Sequence, residues 1–211
     1  MKTCEKIGIC GGTFDPIHMG HLIIAETVRQ KMGLSKVIFI ASGEPPHKTE
    51  ERVTSAKKRF QMVKLAIKGN PHFEASSIEI DRPGNTYTVD TLAQLCKQTS
   101  TKDGATCKFI FIIGADVLRD IFTWKDHHDV FKMCEFAAVL RPGFNITEFS
   151  HYKKLAMDEG AIINEIHAPL IEISSSNIRE MIENGKSVRY MIPRQVEQYI
   201  NDNKLYKTNL L

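Results

Sequence analysis

A chain of 211 residues, 42% of them hydrophobic, is long enough to bury one sizeable core and short for several large domains, so a single domain spanning 1–211 is expected. Its 28 basic and 25 acidic residues leave a net charge of +3 without a basic stripe, which argues against nucleic acid as a partner and suits a small anionic ligand. Five cysteines, odd in number and without a C-x-x-C pair, suggest reduced structural thiols rather than a zinc site or a disulfide framework. No apolar run approaches the ~18 residues of a membrane span, so a cytoplasmic chain with no membrane role is expected.

The first strand is read at Lys6–Cys10 from Ile7 and Ile9, and a helix follows in which Leu22, Ile23, Ala25, Val28 and Met32 trace one buried face. Between them lies Gly11-Gly12-Thr13-Phe14-Asp15-Pro16-Ile17-His18-Met19-Gly20-His21. Gly11 and Gly12 lack a Cβ, so a tight turn that brings backbone N–H groups against an anion is expected there. The helix N-terminus behind it adds aligned donors and partial positive charge. His18 and His21, three apart, are placed on one helical face, each able to donate to phosphoryl oxygens. The spacing matches neither Gly-x-Gly-x-x-Gly nor Gly-x-x-x-x-Gly-Lys-Ser/Thr, which disfavours a dinucleotide fingerprint and a P-loop.

A second strand, Val37–Ala41, leads into a stiff loop that delivers Lys48, a point charge suited to a phosphate, whereas His47 reads as solvent-exposed. Ala56, Phe60, Val63 and Ile67 mark a helix over Thr54–Lys68, with Gly69 as its stop. A third strand over Phe73–Ile80 is followed by Thr86 and Tyr87 at the start of a helix, Thr88–Gln98, where Thr88 caps and Asp90 sits in the first turn. That helix start is a second place for an anionic group. Lys97–Cys107 reads as an exposed, mobile connection.

A fourth strand, Lys108–Ile113, ends at Gly114, which permits close approach, and at Asp116, which either accepts from ribose hydroxyls or caps a helix. Trp124, the single tryptophan, is a core residue or a flat face for a heteroaromatic ring. A fifth strand is read at Phe136–Leu140 and a sixth candidate at Ala161–Ile173, broken by Pro169. From residue 174 the chain turns helical, with Ser175–Asn184 ending near Gly185 and a last helix opened by Pro193 and lined by Val196, Tyr199 and Ile200. Ser175 and Ser176 supply hydroxyls, and Arg179, expected within the first turn, can clamp a phosphate with two parallel hydrogen bonds. Strands alternating with helices predict an α/β fold with a parallel sheet covered on both faces, its ligand beyond the carboxyl ends of the strands.

His18-Met19-Gly20-His21 resembles the H-x-G-H signature of the nucleotidyltransferase superfamily, and Ile173-Ser174-Ser175-Ser176-Asn177-Ile178-Arg179 its I-S-S-T-x-I-R signature, with Ser176 where threonine is usual. Pro45-Pro46-His47-Lys48, Asn85 to Leu92, Ile113 to Asp116, Trp124 and Arg141-Pro142-Gly143 are similar, in order, to the pattern of bacterial nicotinate mononucleotide adenylyltransferases. The resemblance runs from about residue 6 to 203. It implies a Rossmann-like, doubly wound parallel sheet with a small helical portion at 174–211 that carries the second phosphate motif.

It also implies transfer of the adenylyl group of ATP to nicotinate mononucleotide, giving deamido-NAD and pyrophosphate. By that resemblance His18 and His21 are catalytic and contact the reacting phosphates. Gly11, Gly12, Phe14, Gly114 and Asp116 bind ATP with Ser175, Ser176 and Arg179 on the leaving phosphates; Thr13, Lys48, Thr86, Tyr87 and Trp124 hold the mononucleotide. No protein side chains are assigned to a metal; Mg²⁺ is expected to arrive with ATP. The competing readings are a transferase of the same fold acting on nicotinamide mononucleotide or another substrate, and a non-catalytic nucleotide sensor. A homo-oligomer stays open.

Overall fold

Successive side chains along a strand point to opposite faces, and here both faces are covered. In the computed structural model, which describes residues 5–43, 53–99, 107–140, 146–169 and 171–207, six strands pair in parallel: β1 (Lys6–Gly12), β2 (Lys36–Ala41), β3 (Phe73–Ser76), β4 (Lys108–Gly114), β5 (Cys134–Leu140) and β6 (Ile163–His167). Their order is β3-β2-β1-β4-β5-β6. Val37 and Phe39, Ile110 and Ile112, and Ala137 and Val139 enter one core; Ile38 and Ile40, Phe109 and Ile113, and Phe136 and Ala138 enter the other. Burying each of the larger apolar side chains contributes about 1.5–3 kcal/mol, which is why the strands read as continuous apolar runs. The result is the parallel α/β sheet covered on both faces that the alternation predicts, in the doubly wound, Rossmann-like form that the resemblance implies.

One face is covered by α1 (Met19–Met32), α2 (Ala56–Ala66), α6 (Ser175–Glu183) and α7 (Arg194–Asp202). The other is covered by α3 (Thr88–Thr99), a 3-10 helix at Ala115–Thr123, α4 (His127–Met133) and α5 (Ile146–Asp158). Ile178, Ile182, Val196 and Ile200 of α6 and α7 share a core with Cys10, Val28 and Phe39, so this helical portion packs as part of the sheet's own cover. α1 stops at Gly33, whose φ of 63° lets its N–H reach back to Arg29 O and Gln30 O. Among the described residues, no helix is long and apolar enough to cross a membrane.

The differences from the sequence reading are local. β1 runs two residues further than expected, and Gly11 and Gly12 pair with Ile40 and Ala41 instead of forming the turn. β3 ends at Ser76, because Ser76 Oγ accepts from Ile78 N (3.3 Å) and Ser77 Oγ donates to Asp81 (2.6 Å), drawing the chain into a turn. Of the stripe read for α2, Val63 and Ile67 are buried and Phe60 packs against the core, while Arg59 and Met62 join the buried face and Ala56 is only half-buried. The 3-10 helix, α4 and α5 fill crossovers where the apolar pattern marks no particular helix. Most of the Lys97–Cys107 connection lies outside the described residues.

Cys10, Cys96, Cys107 and Cys134 are free thiols. Burial pushes Cys10 and Cys134 each up to about 12, so neither forms a thiolate near neutral pH. A thiol reagent at pH 8 should leave these two unmodified in the native protein and label them in urea. Rapid native labelling, located by peptide mass mapping, would contradict their placement.

Candidate active site

The strand order reverses direction between β1 and β4, and the carboxyl ends of these two strands open onto a cleft of about 630 Å³. Gly11 and Gly12 of β1, Gly114 of β4, Thr86 and Tyr87 before α3, and Trp124 line it. The glycines serve close approach here rather than turning. A Cβ on Gly12 would stand 3.1 Å from the Phe14 ring, and one on Gly114 would fall 2.3 Å from Asp116 Oδ1. Asp116 itself is exposed in the first turn of the 3-10 helix, folded back beside Gly114. Trp124 stands on edge against Phe111, with centroids 5.7 Å apart and planes at 66°, which fixes the indole while leaving it half-buried at the cleft wall.

The histidine motif builds a second part of the site beside this cleft. His18 is the N-cap of α1, in extended conformation (φ −140°), and His21 is its third helical residue. The expectation that both lie on the helix is corrected in this respect. His18 N donates to His21 Nδ1 (3.2 Å), so in the neutral ring the His21 proton resides on Nε2. The two rings stack at 3.6 Å with 24° between planes, and the Phe14 ring stands edge-on to His21 at 5.0 Å. Gly20 is required by this packing, since a Cβ there would press on His18 Nδ1 at 3.0 Å. Phe14 is itself 3% exposed and held at φ 51°, a left-handed conformation costing a bulky residue about 1–3 kcal/mol, which its buried ring offsets.

The loop between Thr13 and His18 is fastened from three sides. Arg59, buried to 1% exposure, donates to Thr13 O (2.6 Å), Ser42 O (2.7 Å), Gly43 O (2.9 Å) and Thr54 O (2.8 Å). Desolvation lowers its pKa, and the Asp15 carboxylate opposes that shift. Asp15 accepts from Tyr206 Oη (2.6 Å) and Thr54 N (3.1 Å). Burial, reinforced by the Asp15 charge, pushes the Tyr206 phenol well up, so it remains the donor. From α6, Ser175 Oγ donates to Pro16 O (2.8 Å) and Arg179 Nη1 to Asp15 O (2.9 Å). The N-termini of α1 and α6 therefore flank one loop, and two sets of aligned donors favour negative charge there.

A cytidylyltransferase-like family model matches residues 9–181, from β1 into α6. The chain belongs to the cytidylyltransferase-like family. Two relatives named probable nicotinate-nucleotide adenylyltransferase are similar over almost their whole length. The one from Moorella thermoacetica is 44% identical over 206 residues, covering 97% of this chain and 93% of its own. The one from Thermoanaerobacter sp. is 44% identical over 203 residues, covering 96% and 94%. The fold is also that of Plasmodium falciparum nicotinic acid mononucleotide adenylyltransferase complexed with NaAD, at TM-score 0.77, 20% identity, 98% of this chain and 100% of that one.

Within this cytidylyltransferase-like chain the expected site residues fall into two adjoining groups. Gly11, Gly12, Thr86, Tyr87, Gly114 and Trp124 meet at the cleft, with Asp116 beside Gly114. Thr13, Phe14, His18, His21, Ser175 and Arg179 gather at the neighbouring loop, with Ser176 Oγ 3.4 Å from Arg179 Nη2. Arg179 lies in the second turn of α6 rather than the first, and Ser174 caps the helix, accepting from Asn177 N (3.1 Å). Lys48 lies outside the described residues. Thr88 is the first residue of α3 rather than its cap, as Thr91 N donates to Tyr87 O (3.1 Å).

Sequence reading missed Arg59, Tyr206 and Lys125. Arg59 shares the buried face of α2 with Met62 and Val63, but a charged residue there carries no local signal of burial, because its carbonyl partners come from other stretches of chain. Lys125 also lines the cleft, its ammonium 4.7 Å over the Tyr87 ring and 3.6 Å from Asp90. Arg59→Met should destabilise the protein by about 3–5 kcal/mol, because the carbonyls it joins lose a buried charged donor. Urea unfolding measures this, and a loss below about 1 kcal/mol would remove Arg59 as the brace of the loop.

Proposed function

We propose that this chain is a nicotinate-nucleotide adenylyltransferase, joining nicotinate mononucleotide to the adenylyl group of ATP in NAD biosynthesis. The observation that carries this reading is the meeting of an aromatic-walled cleft with a loop held between two helix N-termini, in a chain whose near full-length relatives bear that name. An aromatic face accepts a pyridine ring; paired helix starts accept phosphates.

In the reaction a 5′-phosphate oxygen of the mononucleotide attacks the α-phosphorus of ATP. A new P–O bond forms, the α–β bridging P–O bond breaks, and its electron pair leaves on pyrophosphate. No covalent enzyme intermediate is needed, so the protein supplies alignment and charge stabilisation. His21, protonated at Nε2 by the geometry of its other nitrogen, donates to the α-phosphoryl oxygens with His18 stacked beside it. Arg179, Ser175 and Ser176 take the β and γ groups at α6, and Asp116 accepts from the adenosine ribose beside Gly114. Thr13 and Lys48 hold the mononucleotide phosphate. Thr86, Tyr87 and Trp124 take the nicotinate end, Thr86 being 9% exposed at the start of α3.

Among the described residues, no His, Cys or acidic triad able to cage an ion borders the cleft. Mg²⁺ would come with the ATP phosphates, keep several waters and neutralise charge on the triphosphate.

The reading is tested by pyrophosphate release from MgATP with nicotinate mononucleotide, nicotinamide mononucleotide and phosphopantetheine in parallel. Turnover only with phosphopantetheine, or none at all, would overturn it. His21→Ala should lower kcat on the order of 10²–10³ with smaller changes in either KM, the cost of one transition-state donor. Wild-type kcat in that variant would take His21 out of the chemistry.

The acid should be used far better than the amide. Lys125 and the N–H groups at the start of α3 favour a carboxylate, whereas the amide turns its own NH₂ toward donors and leaves at least one unpaired, at ~1–3 kcal/mol. Equal kcat/KM for the two mononucleotides would refute this selectivity while leaving adenylyl transfer in place.

A further inference from the structure

Away from the cleft, His127 and His128 open α4, and Glu159 follows the last residue of α5. Neighbouring residues at a helix start normally diverge, yet these two imidazoles lie 4.2 Å apart and turn to the same carboxylate oxygen. His127 Nε2 stands 3.1 Å from Glu159 Oε2, and His128 Nδ1 stands 3.7 Å from it. One ligand atom from each of the three residues lies within 4.8 Å of the others, the only such group of three among the described residues.

We propose that His127, His128 and Glu159 form a binding site for zinc or a neighbouring first-row divalent ion, bridging the start of α4 to the end of α5. Two imidazoles and a carboxylate are a donor set for zinc, cobalt or nickel rather than for magnesium, which prefers oxygen alone. Bonds of about 2.0–2.2 Å at a tetrahedral centre require donor atoms roughly 3.3–3.5 Å apart. The spacings of 3.1 and 3.7 Å to Glu159 straddle that value. The side chains can close the remainder, because His128 is 62% and Glu159 39% exposed and both are free to adjust at the surface.

His127 is better fixed. It is 22% exposed, edge-on to Phe131 at 5.5 Å and to Phe122 at 6.0 Å, so one ligand is already oriented by packing. Three protein donors leave the fourth position to water, which makes the ion exchangeable. The site is a staple rather than a reaction centre. α4 begins three residues after Trp124, so an ion there also fixes the segment that carries the cleft wall.

The test is zinc titration of the full chain by calorimetry, together with its His128→Ala and Glu159→Gln variants, followed by anomalous diffraction at the zinc edge from crystals grown with the ion. The wild type should bind zinc with micromolar or tighter affinity, undisturbed by excess Mg²⁺, and its Tm should rise with zinc. Each variant should bind at least about tenfold more weakly and lose the Tm rise while unfolding at the wild-type temperature without metal. The anomalous peak should lie between His127, His128 and Glu159. Binding only at millimolar zinc, affinity unchanged in both variants, or a peak solely at the stacked His18–His21 pair would each overturn the proposal.

Discussion

The buried guanidinium of Arg59 is the constraint on which the site depends. It brings four backbone carbonyls from three stretches of chain onto one planar fork: Thr13 after β1, Ser42 and Gly43 after β2, and Thr54 before its own helix. Arginine suits this place because its donors are rigidly splayed and its charge persists under desolvation, whereas lysine would offer a single point of attachment. Among the described residues the charge has no contacting carboxylate. It is spread over carbonyl dipoles with Asp15 nearby, so its positive field acts on the loop where phosphates are proposed to bind. One helix residue therefore fixes the geometry of the loop and biases its electrostatics together.

Around that brace, the short motifs read as packing rules. The glycine between the two histidines leaves room for the His18 ring over the first turn of α1, and that ring stacks on His21, whose Nδ1 is engaged by the backbone. The glycine that ends β4 leaves room for the Asp116 carboxylate to fold back. In both cases the absent methyl matters through the functional side chain it would displace, and the backbone at neither glycine is left-handed. Left-handed backbone at this site falls instead on Phe14, at φ 51°, whose ring stands edge-on to His21, and on Tyr206, at φ 60°.

Much of this was legible in the sequence because it is local. Strands β1, β2, β4 and β5 are uninterrupted apolar runs, and the two signature motifs contain their own helix starts. What escaped was set by tertiary contact. Arg59 breaks the apolar period of α2 and reads as a solvent-facing residue until its carbonyl partners are assembled. Tyr206 has no local signal, since its partner is 191 positions earlier. β3 was read too long because Ile78 and Ile80 continue the apolar pattern, while the serine hydroxyls that end the strand are invisible to periodicity. His127 and His128 gain meaning only when α5 brings Glu159 to them.

The fastenings of the loop have a consequence for local unfolding. Ser175 to Pro16, Arg179 to Asp15 and Tyr206 to Asp15 span 159, 164 and 191 positions of sequence. Contacts of such separation close long loops, whose closure entropy is offset only when the C-terminal helices are docked on the sheet. The loop between β1 and α1 therefore depends on both ends of the chain and loses these fastenings when α6 or the segment after α7 loosens. With the proposed placement of the phosphates at this loop, nucleotide affinity should report whether the two ends of the chain have met and fade under mild denaturation while the central sheet still holds.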